Sequence, residues 1–134
     1  MILTNFMKDI FFYGLFIDES ILRAKGVEAR VPRKAVVRDY QLKIGQRAML
    51  VRQSSSQAYG MVYALTDDEI DSLYSEPGLE MYHPEIVVVT FEDGSSSEVT
   101  TFNLEDETGT DKPNLEYAAK LRLVLERLGL PTNL

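Results

Sequence analysis

Cysteine is absent from all 134 residues. Disulfides, zinc–thiolate centres and a thiol nucleophile are excluded with it. Histidine is almost absent: His83 is the only one. A multi-histidine metal site is therefore impossible, and a Ser-His-Asp triad would have to run through that single residue. Positive charge is in short supply as well. Fourteen Lys and Arg stand against twenty-one Asp and Glu, for a formal net charge of −7. Nucleic acid and anionic membrane both select basic surfaces, so neither is expected as a partner. No apolar run approaches the roughly 20 residues that span a bilayer. The first ten residues, M-I-L-T-N-F-M-K-D-I, lack a basic n-region and an unbroken apolar core with a small-residue cleavage site. A cytoplasmic location is the expectation. No internal repeat or low-complexity segment stands out.

What remains is the composition of an ordinary globular domain, 45% hydrophobic and 26% charged. The length suits one domain, 1–134, with a real core. Its densest apolar stretch is Ile10-Phe11-Phe12-Tyr13, a run that should be a central buried strand. Gly14 ends it. Lacking a Cβ, Gly14 lets the chain turn sharply and bring backbone N–H groups close to another group. Asp18 or Ser20 is placed to cap a short helix running to Lys25, with Gly26 as its stop. Strand, glycine turn and helix start form a common cradle for anions and oxyanions.

Further along, residues 27–34 read as a loop and 35–44 as a half-buried strand. Gly45-Gln46 turns the chain into a second strand over 47–51. The serine-rich stretch 53–57 reads as a surface loop, and 58–65 as the next strand, with Gly60 marking a bulge or a close backbone approach. Thr66-Asp67-Asp68-Glu69 has the capping-box pattern. The helix it opens places Ile70, Leu73 and Tyr74 on one face and ends at Pro77-Gly78. A strand over 85–92, an Asp93-Gly94 hairpin turn and a return over 98–104 follow. Residues 105–112 are polar and acidic, as in a linker. A C-terminal helix over 113–129 carries Tyr117, Leu121, Val124, Leu125 and Leu128 on one stripe and should pack on the domain. These six or seven strands and three helices predict an α+β fold. Its sheet, antiparallel or mixed, should curl into a small β-barrel with flanking helices.

One carboxylate stands out. Glu76 follows the second helix and is flanked by Leu73, Tyr74, Leu79, Met81 and Tyr82. In apolar, aromatic company it is expected to be partly desolvated, which suits a carboxyl to proton transfer. The acidic clusters at 67–69 and 105–107 read as a helix cap and a solvated linker, so no metal site is expected.

Three segments in order, F-Y-G-L-F-I-D (12–18), Y-G-M-V-Y-A-L-T-D-D-E-I-D-S-L-Y-S-E-P-G-L-E-M-Y (59–82) and the strand after them, resemble the gamma-glutamylcyclotransferase-like family. Its pattern is a strand ending in Tyr-Gly, then a Gly-x-x-Tyr-x-Leu strand, a short helix, and Leu-x-x-Glu with a nearby tyrosine. Gly60, Tyr63, Leu65, Leu73, Glu76 and Tyr82 fit that order over residues 10 to 104. The resemblance implies a small β-barrel. It also implies that Tyr13, Gly14, Leu15, Phe16 and Tyr82 bind a γ-glutamyl compound and that Glu76 is the acid/base, with no cofactor. The activity implied is cyclisation of a γ-glutamyl amine, or related small amide, to 5-oxoproline with release of the amine. The chain departs from the pattern at Leu15, where a small hydroxyl residue is common, at Pro84 and at Phe102. The alternative is a non-catalytic module binding a small metabolite or a protein in the same cavity.

Overall fold

The computed structural model describes residues 7–105 and 113–132. Its strands are β1 (Met7–Phe12), β2 (Arg30–Ile44), β3 (Ala48–Thr66), β4 (His83–Phe91) and β5 (Ser96–Asn103). The helices are α1 (Glu19–Ala24), α2 (Asp67–Tyr74) and α3 (Leu115–Leu128), with a 3-10 turn at Leu15–Ile17. The strands close a barrel in the order β1-β3-β2-β4-β5. β1 seals it, antiparallel to β3 on one side and parallel to β5 on the other. The Thr101 hydroxyl, fully buried at that seam, donates to the Phe11 carbonyl at 2.7 Å.

The run at Ile10–Tyr13 is continuous because β1 is covered on both faces. Phe11 and Tyr13 point into the barrel, joining Val37, Leu50, Val62, Val87, Val89 and Val99 from the other strands. Ile10 and Phe12 point outward, into a second core with Ile17, Tyr63, Leu73, Leu121 and Leu125 beneath the helices. Gly60 lies at a close approach, since a Cβ there would run into the Phe12 carbonyl oxygen across the β1–β3 pair.

Several boundaries differ from the sequence reading. The stretches at 47–51 and 58–65 belong to one long strand, β3, so the described residues form five strands where the sequence suggests six or seven. The serine-rich residues between them are a bulge. Tyr40 faces Arg52 and Arg38 faces Gln57, so the extra residues loop out opposite Asp39, whose carboxylate accepts the Ser55 N–H at 3.2 Å. β2 begins at Arg30, inside the expected loop, and β4 begins at His83, with Pro84 as its second residue. Both openings lie where a strand tolerates proline or a register shift. Asp18 is the cap of α1, accepting from the Ser20 N–H. The capping box at Thr66 and Glu69 is formed as expected. The expected linker lies outside the described residues, apart from Glu105. No described helix is long and apolar enough to cross a membrane.

Candidate active site

The chain leaves the barrel at Tyr13, and the next residues are fixed as a 3-10 turn. Ile17 N–H donates to the Gly14 carbonyl and Asp18 N–H to the Leu15 carbonyl, each at 3.0 Å. The turn is held from both sides. Tyr13 donates its hydroxyl to the Phe102 carbonyl at 2.7 Å and lies 3.2 Å from Asn103 Oδ1. On the other side the Leu15 N–H donates to the Tyr117 hydroxyl oxygen, at 3.0 Å, from α3. Gly14 is needed here for space and not for a left-handed backbone, its φ being −104°. A Cβ at this position would lie 2.5 Å from Tyr117 Oη and 3.3 Å from Ala48 Cβ.

α2 delivers the other wall. Its capping box fixes its start, and Tyr74 in its last turn stacks on Phe102, ring centroids 4.1 Å apart, and meets Phe16 edge-on. Beyond the helix, the Leu79 N–H returns to the Glu76 carbonyl and the Tyr82 N–H to the Leu79 carbonyl. Tyr82 then donates its hydroxyl to the Ala48 carbonyl at 2.6 Å.

These segments enclose a cavity of about 280 Å³. Tyr13, Gly14, Leu15, Phe16, Glu76 and Tyr82 all line it. The surroundings of Glu76 differ from the sequence expectation. Its carboxylate is not alone among rings: Lys25, just after α1, reaches both oxygens at 2.8 and 2.7 Å. The side chain is 37% exposed, and Met81, expected beside it, is 65% exposed and absent from the cavity lining.

The sequence reading also missed Lys25, Arg47, Tyr74 and Tyr117 as lining residues. Tyr117 had been visible only as one position on a packing stripe. Burial is the largest influence on the phenols of Tyr13, Tyr74, Tyr82 and Tyr117, and it raises all four above their ordinary value. They are neutral hydrogen-bonding groups at physiological pH. Among the described residues no group of three or more His, Asp or Glu is placed to hold a metal ion.

The sequence profile described as Gamma-glutamyl cyclotransferase, AIG2-like, matches residues 10–119. The chain belongs to this family. Membership extends past residue 104, where the resemblance read from the sequence stops, and takes in the start of α3 with Tyr117. No curated protein matches the sequence. Among solved structures, one titled gamma-glutamyl cyclotransferase superposes with a TM-score of 0.75 at 16% identity, covering 94% of this chain and 82% of the other. An Arabidopsis thaliana protein gives 0.69 at 18% identity, over 93% and 95%. An AIG2-like protein from Mus musculus gives 0.59 at 15%, over 80% and 84%. At these identities the likeness is one of fold, a closed barrel with helices outside it.

Proposed function

We propose that this member of the family is a cyclotransferase acting on a γ-glutamyl amine or a related small amide. The α-amine of the glutamyl group attacks its own γ-carbonyl carbon. A C–N bond closes the five-membered ring of 5-oxoproline, the original amide C–N bond breaks, and the displaced nitrogen leaves as an amine. The nucleophile belongs to the substrate, so the protein needs no serine or cysteine for the task. It must hold the glutamyl chain bent, which supplies proximity, and move one proton from the attacking nitrogen to the leaving one.

The observation that carries this reading is that the Glu76 carboxylate and the Gly14–Phe16 turn line one cavity. Glu76 is the proton carrier on this reading, its carboxyl group held in place by Lys25 at 2.7 Å. Tyr13 and Tyr82 bound the substrate with their rings, their hydroxyl protons being spent on the carbonyls of Phe102 and Ala48. The Phe16 N–H has no acceptor among the described residues and is available to oxygen developing negative charge.

The test is 5-oxoproline release from a panel of γ-glutamyl amines and γ-glutamyl amino acids, by the parent and by Glu76→Gln. That substitution keeps the shape but cannot accept a proton, so turnover should fall about 10²- to 10⁴-fold. Equal turnover by the variant would remove Glu76 from the mechanism. Binding of panel members without turnover by either protein would leave the cavity as a site for a small metabolite or a protein.

A further inference from the structure

Three charged side chains line the cavity, Lys25, Arg47 and Glu76. Lys25 and Glu76 neutralise each other across 2.7 Å. Among the described residues, no carboxylate lies within ion-pair distance of Arg47. Among the described residues, the lining therefore carries one positive charge with no ion-pair partner, on a chain whose formal net charge is −7.

Arg47 is exposed, yet it has a defined seat. Its guanidinium lies across the backbone of Gly78, where a Cβ would collide with Nη2 and come within 3.1 Å of Cζ. Gly78 has a φ of +89°, a conformation that disfavours any other residue, so its position keeps this seat open. Two acids flank the seat in sequence: Glu76 is paired with Lys25, and Glu80 accepts the Gly78 N–H at 2.7 Å. Arg47 also acts on the cavity's phenols. Burial raises Tyr82 and Tyr117, and in both the Arg47 charge works against the rise. Tyr117 in turn holds the Leu15 N–H, so the guanidinium and the Gly14–Phe16 turn belong to one neighbourhood.

We propose that Arg47 anchors a carboxylate on the ligand. On the cyclotransferase reading, which this assignment rests on, that group is the α-carboxylate of the γ-glutamyl substrate. A guanidinium matches a carboxylate in a planar, two-bond fork that an ammonium does not reproduce. In a glutamyl group the α-carboxylate and the attacking amine share one carbon. Clamping the carboxylate thus fixes the nucleophile relative to the γ-carbonyl. Arg47 becomes a specificity-determining residue, rejecting amides of the same length that lack the acid.

Two small probes separate the carboxylate from the ring: 5-oxoproline and 2-pyrrolidinone, the same lactam without the acid. Their affinities are measured by calorimetry for the parent, Arg47→Ala and Arg47→Lys, with melts as a folding control. We expect the parent to prefer 5-oxoproline. Arg47→Ala should lose at least about tenfold of that affinity while 2-pyrrolidinone is unmoved, and Arg47→Lys should recover only part of it. Equal binding of the two lactams by the parent, or an unchanged preference in Arg47→Ala, overturns the anchor while leaving the cyclotransferase reading standing. If neither lactam binds and no panel member is turned over, the cyclotransferase reading fails, and glutarate against its diamide decides the anchor. A shift of the Arg47 Nε–H NMR signal with glutarate alone upholds it. No shift with either overturns it.

Discussion

Glu69 → Gln is the substitution whose consequence the structure fixes most closely. Glu69 is the third residue of α2 and only 14% of its side chain is exposed. Desolvation alone would disfavour its charged form and raise its pKa. Against that, it accepts from Arg30 Nη1 at 2.7 Å, from the Thr66 and Glu28 backbone N–H groups at 2.9 Å each, and from the Thr66 hydroxyl at 3.1 Å. The donors win, and the carboxyl is brought from its ordinary 4.5 down to about 2. A group that ionises more readily folded than unfolded adds stability above its unfolded value and loses it as pH falls towards its folded value. At about 1.4 kcal/mol for each pH unit separating the two, Glu69 contributes about 3 kcal/mol at pH 7. Of this, about 2 kcal/mol is gone by pH 3.

Glutamine keeps an acceptor for Thr66 but no charge for Arg30, so most of this contribution should vanish. Urea unfolding at pH 7 should show the variant about 2–3 kcal/mol less stable, and its Tm should fall by about 8–10 °C in a domain of this length. At pH 3 the gap between the two proteins should narrow by about 2 kcal/mol, other titrating groups cancelling in the difference. A gap of the same size at both pH values would refute the electrostatic account, and a gap below about 0.5 kcal/mol at pH 7 would refute the magnitude. The outcome bears on the cavity too, because α2 carries Tyr74 into it and leads to Glu76.

Gly14 → Ala should cost about 1–3 kcal/mol by urea unfolding, because its Cβ would sit 2.5 Å from Tyr117 Oη. Tyr117→Phe alone should cost about 1–2 kcal/mol by orphaning the Leu15 N–H, and the double variant should cost clearly less than the sum; strict additivity would contradict the clash. Tyr13, Tyr74, Tyr82 and Tyr117 are all raised, so the folded protein holds more protons than the unfolded one above the ordinary phenol value of 10. Stability should therefore fall as pH climbs past 10, with these four phenols ionising together with unfolding in a spectrophotometric titration. Smooth ionisation of every tyrosine near pH 10, with the far-UV signal intact, would contradict their burial.

The parts of the fold that were legible in the sequence are those whose physics is local. Asp18 and Thr66 each cap a helix with their own side chains, accepting an N–H two or three residues on, and Gly129 ends α3 in a left-handed conformation. The run at Ile10–Tyr13 announced a strand covered on both faces. The strand count failed at 53–57, where serines suggest a loop but Asp39, on the partner strand, satisfies the bulge. No property of the serines themselves reveals that partner. The same holds for Glu76. Its apolar neighbours in sequence implied desolvation, whereas its neighbour in space is Lys25, 51 residues earlier.

The Gly14–Phe16 turn shows the consequence for chemistry. Read from the sequence, Gly14 to Phe16 offered backbone N–H groups to a substrate. In the folded chain the Leu15 N–H is already spent on Tyr117, a residue 102 positions away. The donor is exchanged rather than lost: Tyr117 accepts one hydrogen bond, and its own hydroxyl proton has no acceptor among the described residues. A phenol that accepts is polarised to donate more strongly. On the proposed reaction, an oxyanion would therefore meet the Phe16 N–H and the Tyr117 O–H instead of two consecutive amides. One donor would sit on the turn and the other on α3. The helix that the sequence presents as packing then becomes part of the wall that sets where negative charge can develop.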